Sequence, residues 1–179
     1  LTDLGAKVET RPATPSAGNN IIGTFKGTGT KDFLLMVHYD TVFGPGTVAK
    51  RPFRTEGDRA YGPGVADAKG GVAMILHAIK LLQDQQFKGY GTLTVLFNPD
   101  EEMGSAGSKS IIAELARKHD YVFSYEPPDT DAVTVATNGI NQVKLEVKGR
   151  SSHAGSAPEN GRNALTELSH QIIQLKDLG

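Results

Sequence analysis

Three short, continuously apolar segments constrain the fold of this chain more than any other feature. Residues 33–37 (FLLMV), 92–97 (TLTVLF) and 121–125 (YVFSY) lack the polar alternation of a strand with one face in water. The first two segments are typical of strands buried on both faces, and the third predicts a further strand. Residues 72–82 and 108–119 between them place apolar side chains at helical spacing. Strands that alternate with helices predict an α/β domain with a mainly parallel sheet and flanking helices.

The pattern changes in the last part of the chain. Residues 143–148 (VKLEVK) alternate between apolar and charged side chains, which predicts a strand buried on one face only. A helix is predicted from Asn163. These elements suit the start of a two-layer α+β unit, so we place a domain boundary near residues 137–140. The two predicted domains are residues 1–138 and 139–179.

Composition excludes several classes of protein. The formal net charge is -1 and the 179 residues include no cysteine, which disfavours nucleic acid and anionic membranes as partners and excludes disulfides and thiolate sites. No apolar run reaches the roughly 18 residues of a membrane span. Residues 1–5 carry neither an initiator Met nor a signal sequence. We therefore expect an internal piece of a longer protein, and the compartment stays open between cytoplasm and periplasm.

Histidine and carboxylate side chains follow the predicted strands at the point where each strand ends. They are His38 and Asp40 after the first segment, Asp67 in a glycine-rich loop, Asp100, Glu101 and Glu102 after the second segment, and Glu126 after the third. Because ligand sites in open α/β sheets form at the carboxyl ends of strands, we expect these side chains to meet. Crowded carboxylates repel one another and raise each other's pKa, and a cation removes that penalty. The simplest interpretation is a metal site.

The donor types narrow the choice of metal. Imidazole and carboxylates without sulfur suit Zn²⁺, Mn²⁺, Co²⁺ or Fe²⁺ better than Ca²⁺ or Mg²⁺. The carboxylates exceed the three or so protein ligands of one catalytic zinc. Two ions about 3.5–4 Å apart, bridged by one carboxylate, would use them all.

Spacing suggests roles within this cluster. His38 and Asp40 are two residues apart at a strand end and so face the same way, which lets Asp40 accept the second N–H of a metal-binding histidine. Glu101 and Glu102 are neighbours, and in an extended backbone they would point to opposite sides. One of them can then bind metal while the other acts as a general base.

Each of these residues has an ordinary structural interpretation when it is taken alone. The Glu101–Glu102 pair fits a solvated loop or a first helical turn, Asp67 fits a helix N-cap, and Glu126 fits plain surface. His153 alone predicts a capped turn in the second domain, and His77, His119 and His170 are interpreted as structural or solvated. The joint pattern behind apolar strands favours the metal site. A nucleotide binder is disfavoured because the loop at residues 62–71 matches neither dinucleotide nor phosphate-loop fingerprints.

Four ordered segments carry a resemblance to a known family. They are residues 36–42 (MVHYDTV), 61–71 (YGPGVADAKGG), 98–105 (NPDEEMGS) and 151–159 (SSHAGSAPE). Together they resemble the motifs of the aminoacylase and glutamate carboxypeptidase superfamily of two-zinc hydrolases. The likeness is greatest to bacterial glutamate carboxypeptidases that remove C-terminal glutamate from folates. The resemblance implies an incomplete zinc-peptidase catalytic domain followed by the start of a lid and dimerisation domain.

The resemblance also implies a ligand set. Asp67 would bridge two Zn²⁺ ions, with Co²⁺ or Mn²⁺ as alternatives. His38 and Glu126 would complete one metal site, and Glu102 would form part of the other. The peptide bond between Asp67 and Ala68 is expected to be cis.

Catalytic roles follow from the same resemblance. Glu101 would be the general base and Asp40 would orient His38. His153 would reach the active site of a partner subunit, in a homodimer formed through the lid, and steady the tetrahedral oxyanion. The family's final zinc-ligand histidine and substrate-binding arginine have no counterpart in this chain, so we expect the chain alone to be inactive or nearly so.

The expected reaction is hydrolysis of an amide bond in a peptide or small-molecule substrate, such as removal of a C-terminal glutamate. Within the superfamily, an N-acyl-amino-acid deacylase or a dipeptidase is the alternative, because the discriminating residues belong to the lid. A non-catalytic relative that keeps the fold is the alternative from another class of protein.

Overall fold

The computed structural model describes residues 1–13, 18–127, 132–137, 139 and 143–176. The chain divides into two compact units, Leu1–Val133 and Thr134–Gly179. Of the predicted boundary near residues 137–140, Asn138 and Ile140 lie outside the described residues. The assignment of a catalytic and a lid domain to residues 1–138 and 139–179 stays a prediction.

The first unit is built on a five-stranded sheet. In chain order its elements are β1 (Lys7–Pro12), β2 (Asn19–Lys26), β3 (Phe33–His38), α1 (Thr47–Lys50), β4 (Arg54–Glu56), β5 (Arg59–Tyr61), α2 (Gly70–Asp84), β6 (Thr92–Asn98), α3 (Lys109–Ala116) and β7 (Tyr121–Ser124). The strand order is β1-β2-β6-β3-β7, and β4 pairs with β5 in a separate hairpin. β3 runs parallel to β6 and β7, whereas β2 runs antiparallel to β1 and β6. The predicted α/β fold with flanking helices is confirmed, and the sheet is mixed.

Apolar side chains from both faces of the sheet form the core of this unit. On one face Leu35 and Val37 cluster with Ile75 of α2. On the other face Leu34 clusters with Leu115 of α3. Because successive side chains of a strand point to opposite faces, a continuous apolar strand needs a cover on each side. The two helices supply these covers, as the sequence predicts.

Two parts of the first unit have only weak sequence signals and were not predicted. β1 is mostly exposed, so its sequence lacks the apolar run that reveals β3 or β6. The β4–β5 hairpin has only three residues per strand and turns at Gly57, which has a left-handed φ of 59°.

The second unit contains one α-helix, α4 (Ala164–Leu175), among its described residues. The predicted start is confirmed, since the Asn163 side chain accepts hydrogen bonds from the backbone N–H groups of Leu165 and Thr166. The predicted strand at residues 143–148 is wrong, because these residues form no ladder and Val143 stays 69% exposed. A strand needs a neighbouring backbone for its hydrogen bonds, and no described residue pairs with this segment. No helix in the described part of the chain could cross a membrane.

Candidate metal centre

The last residue of β3 places an imidazole at the carboxyl edge of the sheet. His38 is 1% exposed, and its Nε2 lies 2.8 Å from Asp67 Oδ1 and 3.5 Å from Glu126 Oε2. The candidate ligand atoms of His38, Asp67 and Glu126 all lie within 4.8 Å of one another. The structure therefore brings together three of the four side chains that the resemblance implies as metal ligands.

Asp67 reaches this position from the turn at residues 62–71. Gly64 starts the turn with a left-handed φ of 72°, which favours glycine. The Lys69 ammonium ties the turn to the end of β3 by donating to the Tyr39 carbonyl at 3.0 Å. The Asp67–Ala68 peptide bond is cis, as expected.

Glu126 reaches the cluster because α2 begins very close to the end of β7. A Cβ atom at Gly71 would collide with the Tyr125 carbonyl oxygen and would lie 3.0 Å from the Val37 side chain. Only a residue without a side chain permits this approach. The glycine therefore sets the spacing between the turn that carries Asp67 and the segment that carries Glu126.

Glu101 and Glu102 do not lie in extended backbone, so that assumption of the sequence analysis is wrong. Residues Glu101–Met103 form a 3₁₀ turn. The turn ends at Gly104, whose φ is 84° and whose N–H donates to the Glu101 carbonyl. The left-handed glycine closes this turn, which favours a turn over a continued strand after β6.

A single carboxylate holds both the histidine and this turn. Asp40 Oδ1 lies 3.2 Å from His38 Nδ1 and accepts the Glu101 N–H at 3.2 Å, while Oδ2 accepts the Glu102 N–H at 3.0 Å. Asp40 thus fixes the position of the imidazole relative to the two glutamates. The contact with the imidazole is the one predicted from spacing, and the backbone contacts are an additional finding.

Glu102 faces a cavity that Asp67 also lines. The cavity measures about 230 Å³, and Glu102 Oε1 accepts the Val42 N–H at 3.2 Å. Glu102 is not one of the three side chains that converge within 4.8 Å. Glu102 therefore lies outside the three-residue cluster but shares the lining of one cavity with Asp67.

Asp100 does not belong to the cluster. It is buried, and its carboxylate accepts the N–H of Gly107 at 2.7 Å, the N–H of Ser108 at 3.2 Å and the Ser108 hydroxyl. It therefore anchors the loop between the 3₁₀ turn and α3. Sequence reasoning grouped it with its neighbours because no local signal shows which way an acidic side chain turns.

Crowding of carboxylates changes the titration of the cluster. Burial raises the pKa of Glu126, and the charges of Glu101 and Asp67 raise it further against the lowering effect of His38. Burial lowers the pKa of His38, but Glu126, Asp67 and Asp40 together outweigh it, so the net shift is upward from 6.5. The upward shift of the His38 pKa shows excess negative charge at the site, which a divalent cation would neutralise. One imidazole and two carboxylates fit Zn²⁺, Co²⁺ or Mn²⁺.

Two further histidines, His153 and His119, are placed as their sequence context predicts. His153 Nδ1 accepts the N–H groups of Gly155 and Ser156, both at 3.1 Å, which forms a capped turn in the second unit. His119 bridges the Leu115 carbonyl and the Thr94 hydroxyl. His119 is therefore structural, and the role of His153 at an oxyanion stays a prediction.

Comparison with known protein families shows to which family the chain belongs. The model of peptidase family M20/M25/M40 matches residues 34–176, which include the whole cluster and the capped turn. The chain belongs to this family. Its members are metallopeptidases, so the cluster lies in a fold used for metal-dependent hydrolysis.

Two curated relatives agree with the assignment. The chain is 49% identical over 99% of its length to "Carboxypeptidase G2" of Pseudomonas sp. (strain RS-16). It is 33% identical over 97% of its length to an acetylornithine deacetylase of Proteus mirabilis. It covers 44% of each of these proteins, so it spans less than half the length of the curated relatives that it matches.

Solved structures share the fold. Aminopeptidase PepT of Bacillus cereus matches 96% of this chain and 48% of its own, with a TM-score of 0.66 and 24% identity. A tripeptidase of Staphylococcus aureus matches 96% and 47%, with a TM-score of 0.69 and 23% identity. At these identities the likeness supports the M20 fold alone.

Proposed function

We propose that the whole protein removes a C-terminal amino acid, such as glutamate, from a peptide or folate-like substrate by metal-dependent hydrolysis of the amide bond. The observation that carries the proposal is the convergence of His38, Asp67 and Glu126 within 4.8 Å in an M20 chain. The 49% identity to a carboxypeptidase over nearly the whole chain supports the choice of reaction.

The proposed cofactor is a pair of Zn²⁺ ions. His38 and Glu126 would hold one ion, Glu102 would contribute to the other, and Asp67 would bridge them. The shared cavity of Asp67 and Glu102 supports this division. Bound ions supply positive charge that acidifies a water molecule and polarises the substrate carbonyl.

Glu101 is the proposed general base. Its backbone N–H donates to Asp40 Oδ1, the oxygen that lies 3.2 Å from His38 Nδ1, so the residue sits next to the metal cluster. Glu101 would accept a proton from the attacking water and return it to the leaving amine as the carbon–nitrogen bond breaks. Asp40 supports this role because it fixes the Glu101 backbone relative to the His38 ring.

His153 is proposed to donate a hydrogen bond to the tetrahedral oxyanion of a partner subunit in a homodimer formed through the lid. Its Nδ1 accepts two backbone N–H groups, so a neutral ring carries its proton on Nε2. That tautomer presents an N–H donor at the tip of the exposed side chain, as the role requires.

A deacylase is the second candidate. The 33% identity to an acetylornithine deacetylase over 97% of the chain favours it. Both reactions hydrolyse an amide bond, so the same proposed residues would serve either substrate.

The test is to load the protein with zinc and to assay it, in its full-length form, against folyl-glutamate, dipeptides and N-acetyl amino acids, with and without a chelator. Glu101→Ala should bind metal as the wild type does and lose about 10²–10⁴-fold in turnover. The matched control is Asp58→Asn, which removes an exposed acid from the β4–β5 turn. Hydrolysis that survives chelation, or metal lost with Glu101, would contradict the proposal.

A further inference from the structure

A second cavity of the first unit is lined by positive side chains and no acidic ones. It measures about 590 Å³, and Lys50, Arg51 and Arg54 contribute to its lining together with residues of the β4–β5 hairpin. Nothing in the proposed mechanism uses this cavity. Its charge is opposite to that of the acidic metal cluster.

Two of its three cations have no acidic partner in the described part of the chain. Lys50 and Arg51 form no ion pair there, whereas Arg54 pairs with Glu56 at 2.9 Å. The Arg51 guanidinium instead lies over the Phe43 ring, 5.3 Å from its centroid. This aromatic contact restrains the guanidinium without neutralising it. The positive charge of Arg51 therefore remains available to bind an anion.

The basic cavity adjoins the proposed metal centre. Gly62, Val65 and Ala66 line both this cavity and the smaller one that Asp67 and Glu102 line. Phe43, the ring beneath Arg51, also lines the smaller cavity. A substrate with its amide at the metal cluster therefore has the basic cavity beside it.

We propose that the basic cavity binds a carboxylate group of the substrate, so that acidic peptides bind better than neutral ones. The inference rests on the proposed function, since it assumes that an amide-bearing substrate occupies the metal cluster. Arg51 supplies a planar fork that pairs with a carboxylate through two N–H groups, and Lys50 adds a mobile positive charge.

The test measures binding rather than turnover. The probe is N-acetyl-triglutamate, with N-acetyl-trialanine as the neutral comparison, and ¹⁵N NMR follows residues 50–62 of the zinc-loaded chain. The acidic peptide should cause saturable shifts at these residues, and the neutral peptide should not.

The double variant Lys50→Gln/Arg51→Gln should weaken binding about fivefold or more. Both side chains are exposed, so their loss leaves the core intact.

The matched control is Arg59→Gln, which removes one positive charge from the same hairpin but does not line the cavity. It should change binding less than about twofold. Equal weakening by the control, unchanged binding in the double variant, or equal binding of the neutral peptide would overturn the proposal. Inorganic phosphate that binds as tightly as the peptide would show a general anion site and would also overturn it. Because no step needs hydrolysis, an inactive protein would count against the proposed function alone.

Discussion

The two units of the chain bury their periodic apolar segments to different extents. In the first unit the apolar strand β3 and the helix α2 bury their apolar faces against each other. In the second unit residues 143–148 alternate and α4 is amphipathic, yet α4 buries no residue and Val143 stays exposed. A periodic pattern thus predicts which face a segment can bury. Whether that face is buried depends on a partner surface.

The largest expected effect is a difference in zinc affinity between a variant of the first unit and a variant of the second unit. Asp67→Ala in the first unit should weaken zinc binding by more than about 100-fold, because outer-shell losses alone reach that size. His153→Ala in the second unit should bind zinc as the wild type does. Zinc affinity measured by competition with a chromogenic chelator decides the result. Loss of zinc in both variants would show that the second unit contributes to the metal site.

Shortening one apolar side chain in each unit compares their contributions to the free energy of unfolding. Leu34→Ala in β3 should lower the free energy of unfolding by about 2–5 kcal/mol, since Leu34 is fully buried. Ile172→Ala in α4 should change it by less than about 0.5 kcal/mol, because Ile172 is 57% exposed. Urea titration followed by circular dichroism measures both. Similar losses would mean that α4 is packed after all.

A smaller effect is expected where α2 meets β7. Gly71→Ala should cost about 1–3 kcal/mol, because the added methyl group meets the Tyr125 backbone. It should also weaken zinc binding, since Glu126 follows Tyr125. Gly44→Ala is the control, because a methyl group there meets nothing within 4 Å. Unchanged zinc affinity in Gly71→Ala would contradict the spacing role assigned to this glycine.

The smallest effect concerns the loops that precede β3 and β7. The Asp32 backbone N–H, and then the Lys31 ammonium, hold the pKa of Asp120 below its usual 3.8. A carboxyl with a depressed folded pKa stabilises the fold above the unfolded pKa and loses that contribution as the pH falls through the folded pKa. Asp120→Asn should therefore be less stable than the wild type at neutral pH, with a difference that narrows below about pH 4. Thermal melts across this range measure the difference, and a constant gap would contradict it.

Much of the first unit was predictable because its signals are local. The apolar runs of β3 and β6 and the spacing of α2 each reflect burial of a single element. The convergence of His38 and Glu126 followed from one topological rule, that parallel strands end at one edge of the sheet. β1 was missed because it is mostly exposed, and the β4–β5 hairpin was missed because its strands are both short and exposed.

The sequence by itself determined which segments are apolar on both faces, where α4 begins, and that His38, Asp67 and Glu126 meet at the end of the strands. Only the tertiary structure decided that Asp100 turns inward, that Asp40 holds the Glu101 backbone as well as His38, and that residues 143–148 form no strand. The physical reason is that hydrophobic periodicity is a property of one segment. Hydrogen bonds between distant residues depend on which surfaces the fold brings together.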